Sequence, residues 1–180
     1  MWLGGWKLIG EPEPEMKKCV VIEAPHTSMW DFVWGRCGLW LLGVNARFLI
    51  KKEVFVFPIS GLLKRLGGIP IDRGRRNNVV DQIVEEFKNN DDFSLVITPE
   101  GTRKHTETWK RGFYYIALKA EVPIYLGWLD YEKKQGGAGK IFYPTGDYEK
   151  DIQVIQDFYK DKVAKYPSQF HLSKEYQIKE

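Results

Sequence analysis

Val20-Val21-Ile22-Glu23-Ala24-Pro25-His26-Thr27-Ser28-Met29-Trp30-Asp31-Phe32 is the stretch from which the rest of the chain is read. It opens as a β-branched run, meets a proline, and then offers a histidine and an aspartate five residues apart. Neighbours on one helix face lie three or four residues apart, so a spacing of five does not align the pair on a helix. The two meet if His26 sits on the loop leaving a strand and Asp31 near the start of the next helix. Pro25 supports that break, because it fixes its own φ and biases Ala24 toward an extended conformation. In such a turn the carboxylate holds one ring nitrogen as a donor and leaves the other free to take a proton. The commonplace alternative is a surface histidine and a helix N-cap aspartate.

Working outward, the chain alternates strands and helices. Strands are expected over 19–23, 47–51, 69–72, 93–98 and 123–129. Helices are expected over 31–42, 60–66, from a cap at Asn77 or Asn78 to about 89, and over 110–120. The run Gly136-Gly137-Ala138-Gly139 is read as a turn into a last strand over 140–143, followed by an amphipathic helix over 147–164. Ile152, Ile155 and Tyr159 mark its inner side. This alternation argues for an α/β fold, a single domain with a mostly parallel sheet flanked by helices. Residues 1–16 read as an N-terminal segment with a stiff acidic linker, 17–167 as the domain, and 168–180 as a polar tail.

Composition narrows the field. The chain has 180 residues, a size that supports one real core. A formal charge of +3 is too weak to argue for nucleic acid. Cys19 and Cys37 lack metal-ligand spacing and read as buried free thiols in a reducing compartment. Seven tryptophans are many for this length, and tryptophan favours interfaces. No stretch is long and apolar enough to predict a transmembrane helix.

Two later stretches give the His–Asp pair a context. They are Leu66-Gly67-Gly68-Ile69-Pro70-Ile71-Asp72-Arg73 and Val96-Ile97-Thr98-Pro99-Glu100-Gly101-Thr102-Arg103. With His26-Thr27-Ser28-Met29-Trp30-Asp31 in front and Val122-Pro123-Ile124 behind, they resemble the ordered blocks of the glycerolipid acyltransferases, the family of lysophosphatidic acid acyltransferase. The resemblance runs from about Val20 to Ile124. Four positions depart from the family's pattern: Pro25 precedes the histidine where Asn is frequent, and Thr98 stands for a common Phe. Lys104 stands for Ser, and Leu126-Gly127 lacks a second proline. Many family members carry membrane helices ahead of the histidine block, for which residues 1–25 leave no room.

The resemblance implies direct attack of an acceptor hydroxyl on a thioester, with His26 as base and Asp31 as its partner. A Gly-x-Ser-x-Gly elbow for a serine nucleophile is absent. The expected acceptor site comprises Asp72, Arg73, Glu100, Gly101, Thr102 and Arg103. The two arginines suit a phosphate, because a guanidinium fork gives paired, charge-assisted hydrogen bonds. Glu100 is expected to orient an arginine or the acceptor hydroxyl. Lys104, Lys110, Arg111, Arg75 and Arg76 add positive charge nearby. No metal and no cofactor is expected; the acyl donor, acyl-CoA or acyl carrier protein, is a co-substrate. The expected acceptor is a lysophosphatidic-acid-like lipid in phospholipid biosynthesis. The alternatives are another lysolipid or an acylated amino acid, or a non-catalytic lipid-binding module. The expected location is cytoplasmic, peripheral on the inner face of the cell membrane. Trp2, Leu3, Trp6, Leu8 and Ile9 form one candidate anchor. Val54 to Ile59, between Lys51, Lys52, Lys64 and Arg65, is a second anchor or else core.

Overall fold

A computed structural model describes residues 4–71 and 76–177, apart from the side chains of residues 76–78, 175 and 177. The elements run β1 (Lys7–Ile9), β2 (Lys18–Ala24), α1 (Met29–Leu41), β3 (Ala46–Lys51), α2 (Ile59–Arg65), β4 (Gly68–Ile71) and α3 (Arg76–Asn89). They continue with β5 (Phe93–Ile97), α4 (Gly112–Ala120), β6 (Ile124–Asp130), β7 (Gln135–Phe142), α5 (Tyr148–Asp157) and a short α6 (Lys174–Gln177). The strands form one sheet in the order β1-β7-β6-β2-β5-β3-β4. Every neighbouring pair is parallel except β6 with β7. The expected single-domain α/β fold with a mostly parallel sheet is the one observed.

Strand β2 lies between β6 and β5 and is buried on both faces, which explains its near-continuous apolar sequence. Alternate residues serve opposite layers. Val20 and Ile22 join Ile83, Phe87, Phe113, Ile152 and Tyr159 beneath α3, α4 and α5. Cys19 and Val21 join Leu39, Leu42 and Val44 beneath α1. Each fully buried Val or Ile contributes about 1.5–3 kcal/mol, so this strand anchors both cores. The carboxyl ends of β2, β4 and β5 lie at one edge of the sheet, where open α/β sheets bind ligands.

Three expectations need correction. The glycine run is inside β7 and is not a turn: Gly137 pairs with Ile9, and a side chain there would overlap the Ile9 carbonyl. The glycines therefore admit β1 to the sheet. The helix expected over 147–164 ends at Asp157. Tyr159 is drawn into the core, its phenol donating to the Gly127 carbonyl at 3.0 Å. The Val163 carbonyl then accepts the Tyr131 N–H at 2.9 Å. Beyond it, Ser173 is buried and donates to Gln156 Oε1 at 2.9 Å. Finally, Trp6 is buried and Leu8 packs against the α1 layer, so neither stands out as an anchor. Met1, Trp2, Leu3, Asp72, Arg73 and Arg75, with the side chains of Arg76, Asn77 and Asn78, lie outside the described residues.

Candidate active site

The turn from β2 into α1 is built by the helix start. Ser28 is the N-cap of α1, in extended conformation, and its Oγ accepts the Trp30 N–H at 3.2 Å. Three residues on, Asp31 reaches back, and its Oδ2 accepts the N–H groups of Thr27 and Ser28, both at 2.6 Å. Together they make a capping box. The aspartate is therefore the third helical residue, and the cap is Ser28. Asp31 is fully buried, and its Oδ1 accepts the Tyr131 phenol at 2.6 Å. Hydrogen bonds to a charged group contribute about 1.5–3 kcal/mol each, so the carboxylate is fixed in direction by three donors.

His26 occupies the loop between Pro25 and this cap, mostly buried. Its Nδ1 lies 3.8 Å from Asp31 Oδ2, an ion-pair distance. That is roughly 1 Å beyond a hydrogen bond. Among the described residues Nδ1 has no hydrogen-bond partner. Burial pushes the ring's pKa below its ordinary value; the Asp31 charge opposes that shift and the Arg103 guanidinium adds to it. The imidazole is thus neutral near pH 7, with a lone pair available. The Thr27 hydroxyl oxygen accepts the Tyr166 N–H at 3.3 Å, which ties the loop to the segment after α5.

Glu100 reaches across to the histidine loop. Its Oε1 accepts the main-chain N–H of His26 at 2.7 Å, across 74 residues of sequence. Its Oε2 is buried without a partner among the described residues. Burial raises this carboxyl to about 8, with the Asp31 charge adding to the rise and the His26 N–H opposing it. Glu23, at the end of β2, is buried against Gly35 of α1 and has one unpartnered oxygen. It too is raised to about 8, by burial first and by Asp31 second. Burial thus favours the protonated form of both glutamates.

A cavity of about 700 Å³ opens beside the histidine. Such a volume fits a small-molecule site. His26, Thr98, Gly101 and Lys110 give it polar edges, and Phe32, Phe48, Ile50, Ile71, Val80 and Phe113 supply apolar wall. Gly101 has φ of 67°, the left-handed region, and a Cβ there would meet Lys110 Cγ at 3.0 Å. Thr102 Oγ1 accepts the Lys104 N–H at 3.2 Å, which closes the loop on itself. Arg103 is exposed. Arg111 is turned elsewhere: it pairs with Glu149 at 3.2 Å and lies over the Tyr148 ring.

The structure thus brings His26, Asp31, Glu100 and Gly101 to one place, with Arg103 close enough to act on the histidine. Asp72 and Arg73 are outside the described residues. Two neighbours went unread in the sequence. Glu23 was readable as an acid inside a buried apolar strand, whereas Tyr131 has no local signal.

A family model described as Acyltransferase matches residues 9–126, two thirds of the chain and all four sequence blocks. No curated protein matches it.

Proposed function

The chain belongs to the acyltransferase family, and on that premise we propose that it moves a fatty acyl group from a thioester to the hydroxyl of a lysophosphatidic-acid-like acceptor. One observation carries the reading. A neutral histidine, its ring 3.8 Å from a buried carboxylate, borders a cavity with largely apolar walls.

His26 takes the proton of the acceptor hydroxyl as its oxygen attacks the thioester carbonyl. The C–O bond forms, the C–S bond breaks, and the imidazolium returns its proton to the departing thiolate. Asp31 steadies the imidazolium by charge; closing the 3.8 Å gap would add a hydrogen bond as that charge appears. The apolar walls suit an acyl chain. Glu100, Gly101, Thr102 and Arg103, with Asp72, form the acceptor's side of the site, and Arg103 takes the phosphate together with Arg73. The donor is acyl-CoA or acyl carrier protein.

The enzyme meets its acceptor at a membrane surface. Among the described residues no helix is long and apolar enough to cross a bilayer. Support for a surface encounter comes from the β3–β4 connection. Val56, Phe57, Ile59, Leu62 and Leu66 are exposed there, beside Lys51, Lys52, Lys64 and Arg65. Lone exposed apolar residues need no explanation, but a cluster of this kind does.

The test is incubation of purified protein with labelled acyl-CoA or acyl carrier protein and a panel of lysolipids and acylated amino acids. Labelled product from lysophosphatidic acid is the expected result. Product only from an acceptor without phosphate overturns the acceptor assignment, and no product from any pairing overturns the enzyme reading.

A further inference from the structure

Tyr131 follows β6 and lies 100 positions from Asp31 in sequence, yet its phenol donates to Asp31 Oδ1 at 2.6 Å. The family match ends at residue 126, so the match itself assigns this residue no role. We infer that Tyr131 is a positioning residue: by holding Oδ1 it sets the direction of the Asp31 carboxylate and the share of its charge that reaches His26. This rests on the reading of His26 as the base.

Asp31 Oδ2 is held by two main-chain N–H groups and is the oxygen nearest the imidazole. Without a contact on Oδ1 the carboxylate plane has one fixed end. With it, both oxygens are fixed and the group points one way. The contact needs a phenol that keeps its proton, and burial first, then the hydrogen bond to Asp31 and the Asp31 charge, raise that phenol far above its ordinary pKa. A residue needed only to fill space here would have no use for a hydroxyl on a buried carboxylate.

The ring is braced from two distant parts of the chain. Trp6, just ahead of β1, meets it edge-on with centroids 4.9 Å apart and stacks on Trp34 of α1 at 5.3 Å. The Tyr131 N–H donates to the Val163 carbonyl, and the Lys165 ammonium lies 6.0 Å from the ring. The N-terminal segment therefore supports the site through Trp6. The charged and titratable groups around this pair are Glu23 from β2, Glu100 and Arg103 from the loop after β5, and Lys165 and Tyr166 from the segment after α5.

Tyr131→Phe keeps the ring and removes the hydroxyl. More of the carboxylate charge then acts on His26. In the intact variant kcat should fall roughly tenfold, the size of one hydrogen bond, with both KM values unchanged. The His26 titration midpoint, followed by NMR and assigned by the signal missing from His26→Ala, should rise. Both changes are required. A fall in kcat with an unmoved midpoint reports packing alone and overturns the inference, as does a moved midpoint with wild-type kcat. The NMR readout needs no substrate. If His26→Ala retains full turnover while the midpoint still moves in Tyr131→Phe, the base assignment has failed and the link between Tyr131 and His26 has not.

Discussion

Asp31 and Phe57 both follow strands at the carboxyl edge of the sheet, and their environments are reversed. The charged side chain is fully buried, whereas the phenyl ring is 97% exposed. Around Asp31 the chain keeps polar groups from water: Glu23 and Glu100 are buried too, each with an oxygen lacking a partner among the described residues. Around Phe57 it gives apolar side chains to water. Either arrangement costs stability, since buried polar groups need partners and exposed apolar surface forgoes burial. Neither is needed to close the fold, whose two cores lie on the faces of β2. The contrast teaches that cost without structural return collects at this edge. On the proposed function, one region spends it on reactivity and the other on contact with a membrane surface.

The sharpest way to break the comparison is at the buried end. His26→Ala should lower turnover about 100- to 10,000-fold, the usual loss for a positioned base. Its unfolding midpoint should stay near wild type, because its imidazole Nδ1 makes no hydrogen bond among the described residues. Asp31→Asn should cost nearly as much turnover and also lower the midpoint, since three donors converge on that carboxylate. Near-normal turnover by folded His26→Ala protein ends the base assignment. Equal unfolding midpoints for the two variants would show that Asp31 does not hold the turn.

A second effect, on the order of a few kcal/mol, lies in the pH dependence of stability. Glu23 and Glu100 are each raised from 4.5 to about 8 on folding. A raised folded pKa adds stability that is fully present below the unfolded value and is lost as pH rises through the folded one. Unfolding free energy should therefore fall between about pH 5 and pH 8. The lowered His26 pKa works the other way and offsets part of the fall only below its ordinary 6.5. Denaturant titrations at several pH values give the slope. Glu23→Gln should flatten it; the same slope in wild type and variant would mean that Glu23 is ionised in the folded chain.

The smallest effect belongs to the exposed end. Flotation with anionic vesicles should recover the protein at low salt and lose it as salt rises, because lysine and arginine near such a surface contribute about 1 kcal/mol each. Phe57→Ser should weaken the binding roughly tenfold, within what one buried phenyl contributes. Its unfolding midpoint should not move. Protein that stays off the vesicles at low salt would show that the exposed patch serves some other partner.

Much of this protein was legible in its sequence because the signals are local. The apolar run 18–24, the turn at Pro25 and the alternation of strand and helix follow from propensity and period over a few residues. The capping box is equally local, since Ser28 and Asp31 are three apart, and it was open to reading. The order of the four blocks also placed His26, Glu100 and Gly101 on loops at one edge, once a parallel sheet was assumed. What the tertiary structure alone decided are contacts between residues with no sequence relation. Glu100 holds His26 across 74 positions and Tyr131 holds Asp31 across 100. Trp6 is buried and Phe57 exposed, although both read as apolar anchors. A side chain's apolar character says that burial would be favourable; it does not say which neighbours are present to bury it. Those neighbours are set by strand order and register, and only the assembled sheet specifies them.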